Sequence, residues 1–338
     1  MTENPGSSVR LHLFTGITAV STVILIAAGG LVTSTGSGLA VPDWPLSFGM
    51  LMPPMVGGVF YEHGHRLIAS FVGFLTVILA VWAWRVESRI WVKRLAGVAL
   101  GAVILQALLG GLTVIYLLPT PVSVSHACLA QTFLGIVITL WLVTSKSWID
   151  SESIIADEDG LSTRWVAIFA GMTIYIQLIL GALVRHTESA LVIPDFPLAF
   201  GHLFPPIYDL TTDPTAPYPV DVEVLRLQVL IQFMHRVWAI VVCASVTWLI
   251  ARILRAHISI GQLVRPAFLL GALTVIQVLL GASIIWSGRA VWVATGHVVA
   301  GAGILSTTVV IILRCWRLSE RPTAEGAVET TLAEGSAA

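Results

Sequence analysis

Eight apolar stretches, at residues 11–33, 64–84, 95–116, 124–145, 165–185, 229–251, 267–286 and 293–314, run through the chain. Each is close to the ~20 residues a helix needs to cross a ~30 Å hydrocarbon layer. A chain built this way has little to offer water. Charged residues make up 11% of its 338 positions and hydrophobic ones 56%, against roughly 25% charged in an average soluble domain. The expected fold class is therefore an all-α membrane protein of eight transmembrane helices. The first stretch is too long for the h-region of a cleaved signal, which runs to about 15 residues, and it has a counterpart later in the chain. It reads as helix one. A net charge of −1 excludes a basic nucleic-acid binder. The three cysteines, Cys128, Cys243 and Cys315, lie in apolar runs without CxxC spacing, as small core residues do.

Lys and Arg set the expected orientation. Thirteen of the 18 fall on the side that carries both termini, and only Arg66, Arg185, Arg226, Arg236 and Arg289 fall on the other. By the positive-inside rule both termini are cytoplasmic, in a cell (plasma or inner) membrane, and the loops 34–62 and 186–228 face outward. The segment 146–164, with its acidic run Asp157-Glu158-Asp159, reads as a solvated linker. Residues 317–338 read as a disordered polar tail.

The second half repeats the first. Pro42-Asp43-Trp44-Pro45-Leu46 returns as Pro194-Asp195-Phe196-Pro197-Leu198 at an offset of 152, and His65-Arg66 returns as His235-Arg236 at 170. Gln106 through Gly110 returns as Gln277 through Gly281, and His126 as His297, both at 171. The expectation is two pseudo-symmetric four-helix bundles in parallel repeat, 11–145 and 165–316.

Of nine histidines, only His65, His126, His235 and His297 obey the repeat, all near the outer ends of even-numbered helices. A lone membrane histidine is most often a polar residue bonding across helices. Two depth-matched pairs point instead to ligation. Zinc wants three or four converging ligands, whereas two facing imidazoles suit a haem iron that already has four porphyrin nitrogens. Gly296, Gly301 and Gly303, with Gly101, Gly110, Gly111, Gly271 and Gly281, either make room for a macrocycle or serve close helix packing. Arg66 and Arg236 follow their histidines and either pair with propionates or snorkel to headgroups. The Pro-Asp-Trp-Pro and Pro-Asp-Phe-Pro loops read as lids that pack Trp44 and Phe196 on porphyrin or lipid.

The halves differ at Glu62, whose counterpart is Gln232. A carboxylate one turn from His65 suits a reacting site for acid–base or electrostatic work; helix-dipole complementation is the structural alternative. His63 lies on another face and is a weaker ligand candidate. His186 and His202 read as loop groups, and His12 and His257 as interfacial ones.

Taken together, Thr35-Gly36-Ser37-Gly38-Leu39, Pro42-Asp43-Trp44-Pro45-Leu46, Glu62-His63-Gly64-His65-Arg66 and the repeat-matched histidines resemble the haem A synthase family, over residues 11–316. The resemblance implies oxidation of the C8 methyl of haem O to a formyl group, through two hydroxylations and loss of water, to supply haem A for cytochrome oxidase. It implies a haem b cofactor on His235 and His297. Substrate haem O would sit at His65 and His126, with Glu62 as the essential carboxylate. Implied partners are a haem O synthase, the cytochrome oxidase assembly machinery, an unidentified electron acceptor, lipid and a second copy of the chain. Two departures stand out. No outer-loop cysteine pair is present, Val41 and Ser47 occupying that region, and Thr33 and Ser34 stand where an arginine is common, although Arg185 keeps one in the second half. The alternative from another class is a bis-histidine dihaem cytochrome taking electrons from quinol.

Overall fold

The computed structural model describes residues 5–152, 155, 161–211 and 221–319. The acidic run 157–159 and the tail from 320 onward lie outside the described residues. The helices are α1 (Pro5–Ser34), α2 (Gly58–Val86), α3 (Ile90–Ile115), α4 (Thr120–Val143), the single turn α5 (Lys146–Ile149), α6 (Thr163–His186), α7 (Val222–Ala256), α8 (Gly261–Trp286) and α9 (Val291–Leu318). Eight of them are long and apolar enough to cross a membrane. This is an all-helical, multi-pass membrane protein.

The helices extend past the apolar stretches that announce them. Hydropathy marks only the part of a helix that must sit in hydrocarbon, whereas backbone hydrogen bonding continues until a cap or a proline intervenes. In α7, 35 residues long, the helix starts at Val222, where the Asp221 carboxylate caps it by accepting from the Glu223 N–H. His65 is therefore the eighth residue of α2 and His235 the fourteenth of α7, deeper along their helices than a position within one turn of the end.

Helices α1 to α4 pack as a closed ring, each against its chain neighbour and α1 against α4; α6 to α9 do the same. Each ring has its own apolar core. Leu79, Val92, Phe133 and Val137 are fully buried in the first, and Leu249, Leu263, Leu270 and Ile311 in the second. The rings meet along α1, α4, α6 and α9, where Ile26, Leu134 and Ala302 form a smaller buried cluster. Half of the most apolar window of α9 is buried, against 11% for α8, so α9 is a central helix and α8 a lipid-facing one. The large apolar side chains exposed on α3 and α8, such as Ile104, Leu108, Phe268 and Leu279, have hydrocarbon as their solvent.

Polar ties join the rings at both ends. Arg185 on α6 donates to the Gly30 carbonyl at 2.6 Å and to Ser34 Oγ at 2.9 Å on α1. Arg185 is the counterpart, at the offset of 152, of Thr33, so only the second half supplies this cation. At the opposite end Arg314 donates to the Ser147 carbonyl and hydroxyl and to Gln262 Oε1, tying α5 to α9 and α8.

Candidate functional site

The four repeat-matched histidines occupy seats of one design. Each ring lies edge-on against a glycine of the preceding helix: His65 on Gly29, His126 on Gly110, His235 on Gly181 and His297 on Gly281. A β-carbon at those glycines would stand 3.0 to 3.2 Å from the imidazole Cε1, closer than carbon atoms pack. The glycines are therefore required by the rings. Gly110 and Gly281 belong to the repeat visible in sequence; Gly29 and Gly181 carry the same role without having been singled out, although they too are 152 apart. The remaining glycines divide differently. Gly111 faces Trp44, Gly271 faces Ile250, Gly301 and Gly303 pack on neighbouring helices, Gly296 is in ordinary contact range of Leu280, and Gly101 has no close neighbour.

Four residues before the glycine, three of the seats carry a glutamine. The Gln106 amide lies 3.4 Å from the His126 ring and donates to the His126 carbonyl at 3.0 Å. Gln177 does the same for His235, and the Gln277 amide lies 3.3 Å from the His297 ring. At the fourth seat Leu25 takes the glutamine's place, with its backbone facing His65.

The rings pair across each bundle. The His235 and His297 centroids are 6.4 Å apart, inclined at 65°. Two imidazoles on opposite sides of one metal ion would be about 6 Å apart, given metal–nitrogen bonds of ~2 Å. His65 and His126 likewise face one another closely enough to interact electrostatically. Nδ1 of all four rings and Oε1 of Gln106, Gln177 and Gln277 are buried without a hydrogen-bond partner. A buried unsatisfied polar atom costs roughly 1–3 kcal/mol, so its concentration at these seats fits a polar or metal-bearing ligand. Among the described residues no three His, Cys, Asp or Glu side chains converge on one point. The donor set is two imidazoles per ring of helices, which fits a haem iron whose other ligands come from the porphyrin.

Above each pair an outer loop folds back and is held by an arginine. Arg66 donates to the carbonyls of Asp43 at 2.7 Å, Leu46 at 2.9 Å and Val41 at 3.3 Å. Arg236 donates to those of Asp195, Leu198 and Ile193 and stacks over Phe196 at 5.7 Å. Both guanidiniums are thus engaged by loop backbone. Inside each loop an aspartate closes a turn: Asp43 accepts from the Phe48 and Gly49 N–H groups, and Asp195 from those of Phe200 and Gly201. The Gly49 and Phe48 amides hold the Asp43 carboxyl below the usual carboxylate range, and the Gly201 amide above all does so for Asp195. Trp44 covers the face of Gly111 on α3, where a β-carbon would meet its ring at 2.7 Å.

Glu62 is buried, 4% exposed. One carboxylate oxygen accepts from Arg66 at 2.6 Å and the other from the Val41 N–H at 2.8 Å. Gln232 keeps the second contact, accepting from the Ile193 N–H at 2.8 Å, and turns its amide N–H to the Ala190 carbonyl. The position is thus a loop anchor in both halves, but only the first half adds a charge and an ion pair. His63 adds a second asymmetry. It is buried, with Nδ1 2.8 Å from Ser47 Oγ and Nε2 unpartnered, whereas its counterpart Phe233 packs with Ala199, the counterpart of Ser47. His186, expected as a loop group, is the last residue of α6 and lies close enough to His126 to interact with it electrostatically. Its carbonyl accepts from Thr120.

The sequence is similar to those of known proteins. Residues 12–309 match the COX15-CtaA family, described as cytochrome oxidase assembly protein. A heme A synthase of Halalkalibacterium halodurans is 30% identical over 314 residues, covering 90% of this chain and 96% of that protein. Heme A synthases of Alkalihalophilus pseudofirmus and Geobacillus kaustophilus are 30% and 26% identical, over 59% and 91% of this chain and 67% and 93% of their own lengths. The chain belongs to the COX15-CtaA family of cytochrome oxidase assembly proteins.

Proposed function

We propose that this protein is a haem A synthase, an oxidoreductase that converts the C8 methyl of haem O to a formyl group and so supplies haem A for cytochrome oxidase. The observation that carries the reading is the repeated pair of glycine-seated histidines with a carboxylate, Glu62, beside only one of the two. Equal sites would suit a two-haem electron wire; unequal ones suit a reacting site served by a cofactor.

His235 and His297 would hold haem b in the helices of 165–316, and His65 and His126 substrate haem O in those of 11–145, with 146–164 as the linker and 317–338 as a polar tail. When bound, haem b supplies one-electron transfer. The protein's own part is to place and enclose. The glycine seats fix the rings, and Arg66 and Arg236 contribute to haem binding chiefly by holding the loops over the two sites. Glu62 is the catalytic carboxylate of the reacting half, a fixed negative charge held by Arg66 and the Val41 N–H beside a centre that develops positive charge. The excess of Lys and Arg at one end supports cytoplasmic termini and haem sites toward the outer face of the cell membrane. Haem O would come from lipid or a haem O synthase, and the electron acceptor would dock from either face.

The test is co-expression with a haem O synthase, followed by extraction and chromatography of the haems. Glu62→Gln should keep the bound haem and abolish haem A formation; unchanged formation would remove Glu62 from the chemistry. His235→Ala or His297→Ala should abolish the low-spin haem b spectrum. A purified protein without a Soret band would overturn the haem reading altogether.

A further inference from the structure

Four seats share one plan, Gln-x-x-x-Gly facing a histidine, and one of them breaks it. In Gln106–Gly110, Gln177–Gly181 and Gln277–Gly281 an amide reaches the ring or the backbone carbonyl of the facing histidine. At two seats the amide nitrogen must point at that carbonyl, since the oxygen would oppose another oxygen. The hydrogen bond crosses from one helix to the next, so it ties the turn bearing the ligand to the helix behind it. In Leu25–Gly29 the same place holds an aliphatic side chain that packs into the core of the first ring, so His65 meets the Leu25 backbone but has no amide tether.

The C-terminal pair is therefore braced on both sides, by Gln177 and Gln277. The N-terminal pair is braced only at His126. We propose that Leu25 makes His65 the exchangeable ligand of the N-terminal pair, so that this site admits and releases its haem while the doubly braced site retains its own. The proposal rests on the haem-ligand reading given above. Its physical content is simple. A substrate site must open once per turnover and a cofactor site must not. One interhelical hydrogen bond, worth about 1 kcal/mol net, separates the two by roughly fivefold in an exchange equilibrium. Leu25 is thus a positioning residue acting through His65.

The experiment uses the full chain, purified with its haems after co-expression with a haem O synthase. Two readouts are taken: the rate of haem transfer to excess apomyoglobin, and the fraction of reduced haem that binds carbon monoxide. Wild-type protein should lose haem in two phases and bind carbon monoxide only in the rapidly lost population. Leu25→Gln should slow the fast phase roughly fivefold and lower carbon monoxide binding; Leu25→Met, which fills the same space without an amide, should leave both unchanged. Gln177→Leu, in the other half, should speed the slow phase by a similar factor and open that haem to carbon monoxide. Two haem populations that respond to none of these substitutions would overturn the proposal while leaving the haem reading intact, as would an equal effect of Leu25→Met. Should Leu25→Gln fail to fold, Gln177→Leu decides alone: no gain in carbon monoxide binding overturns it. Wild-type protein without a Soret band would overturn both readings together.

Discussion

Replacing Gly281 by alanine puts the glycine seats to a quantitative test. The added β-carbon would stand 3.2 Å from His297 Cε1 and 3.7 Å from Nδ1. Carbon atoms are comfortable at about 3.5–4.0 Å, so the ring must retreat by roughly 0.3–0.8 Å. With no iron to hold it, the imidazole can swing aside, and the helix gains from losing a glycine, by about 1 kcal/mol at most. With iron bound the ring cannot move, because ligand distances tolerate only about ±0.2 Å. The strain then falls on ligation, at the ~1–3 kcal/mol typical of an overfilled core, or about 5- to 150-fold in haem affinity. The variant should therefore fold as well as wild type, yet carry less haem and a weakened bis-histidine spectrum. Haem per protein by pyridine haemochrome, with melting temperature in detergent as the fold control, measures both. Gly101→Ala, where a β-carbon meets nothing within 4 Å, should change neither. If Gly281→Ala retains full haem and an unaltered low-spin spectrum, the seats are packing accidents and the ligand assignment loses its structural basis.

Gly111→Ala would drive a methyl group to 2.7 Å from the Trp44 ring, so the first outer loop should detach and be cleaved faster by added protease, with haem b spectra unchanged. Ser47→Ala should destabilise the protein by about 1–3 kcal/mol by leaving both His63 nitrogens buried and unpaired. Adding His63→Phe, the pair found in the other half, should recover most of that loss in detergent melting curves, and simple additivity would refute the coupling. Asp43 and Asp195 have carboxyls held below their ordinary range by backbone amides. The stability each lends its loop is fully present above the unfolded value of about 3.9 and disappears as pH falls through the lower folded value. Loop proteolysis should accordingly rise in acid, and Asp43→Asn should remove that dependence for the first loop.

Much of this architecture is legible in one dimension. Eight apolar stretches, the offsets of 152 to 171 and the four depth-matched histidines are properties of spacing, and spacing survives folding because helices preserve it. The Glu62–Gln232 difference is legible for the same reason. What Glu62 does with its two oxygens is not, since its partners are the neighbouring Arg66 and a loop amide 21 residues away. Arg66 and Arg236 invite a propionate reading because a cation near a ligand suggests an anion. Most of the loop carbonyls that engage them lie in the repeated Pro-Asp-x-Pro-Leu segments, but a backbone acceptor is not encoded by residue type. Gly29 and Gly181 were passed over because a glycine in an apolar helix looks like any packing glycine until the ring facing it is known.

By itself, then, the amino-acid order determined a multi-pass helical protein, a doubled arrangement of histidines and a carboxylate that only the first copy carries beside its histidine. Those features follow from hydrophobic length and periodicity, which act along the chain. Tertiary structure decided which glycine seats which ring, which carbonyls hold each arginine, and that His65 alone of the four faces no glutamine amide. Each is a contact between helices or between a helix and a loop. Ring and glycine, or arginine and carbonyl, stand 16 to 54 residues apart in the chain, and only packing brings them together.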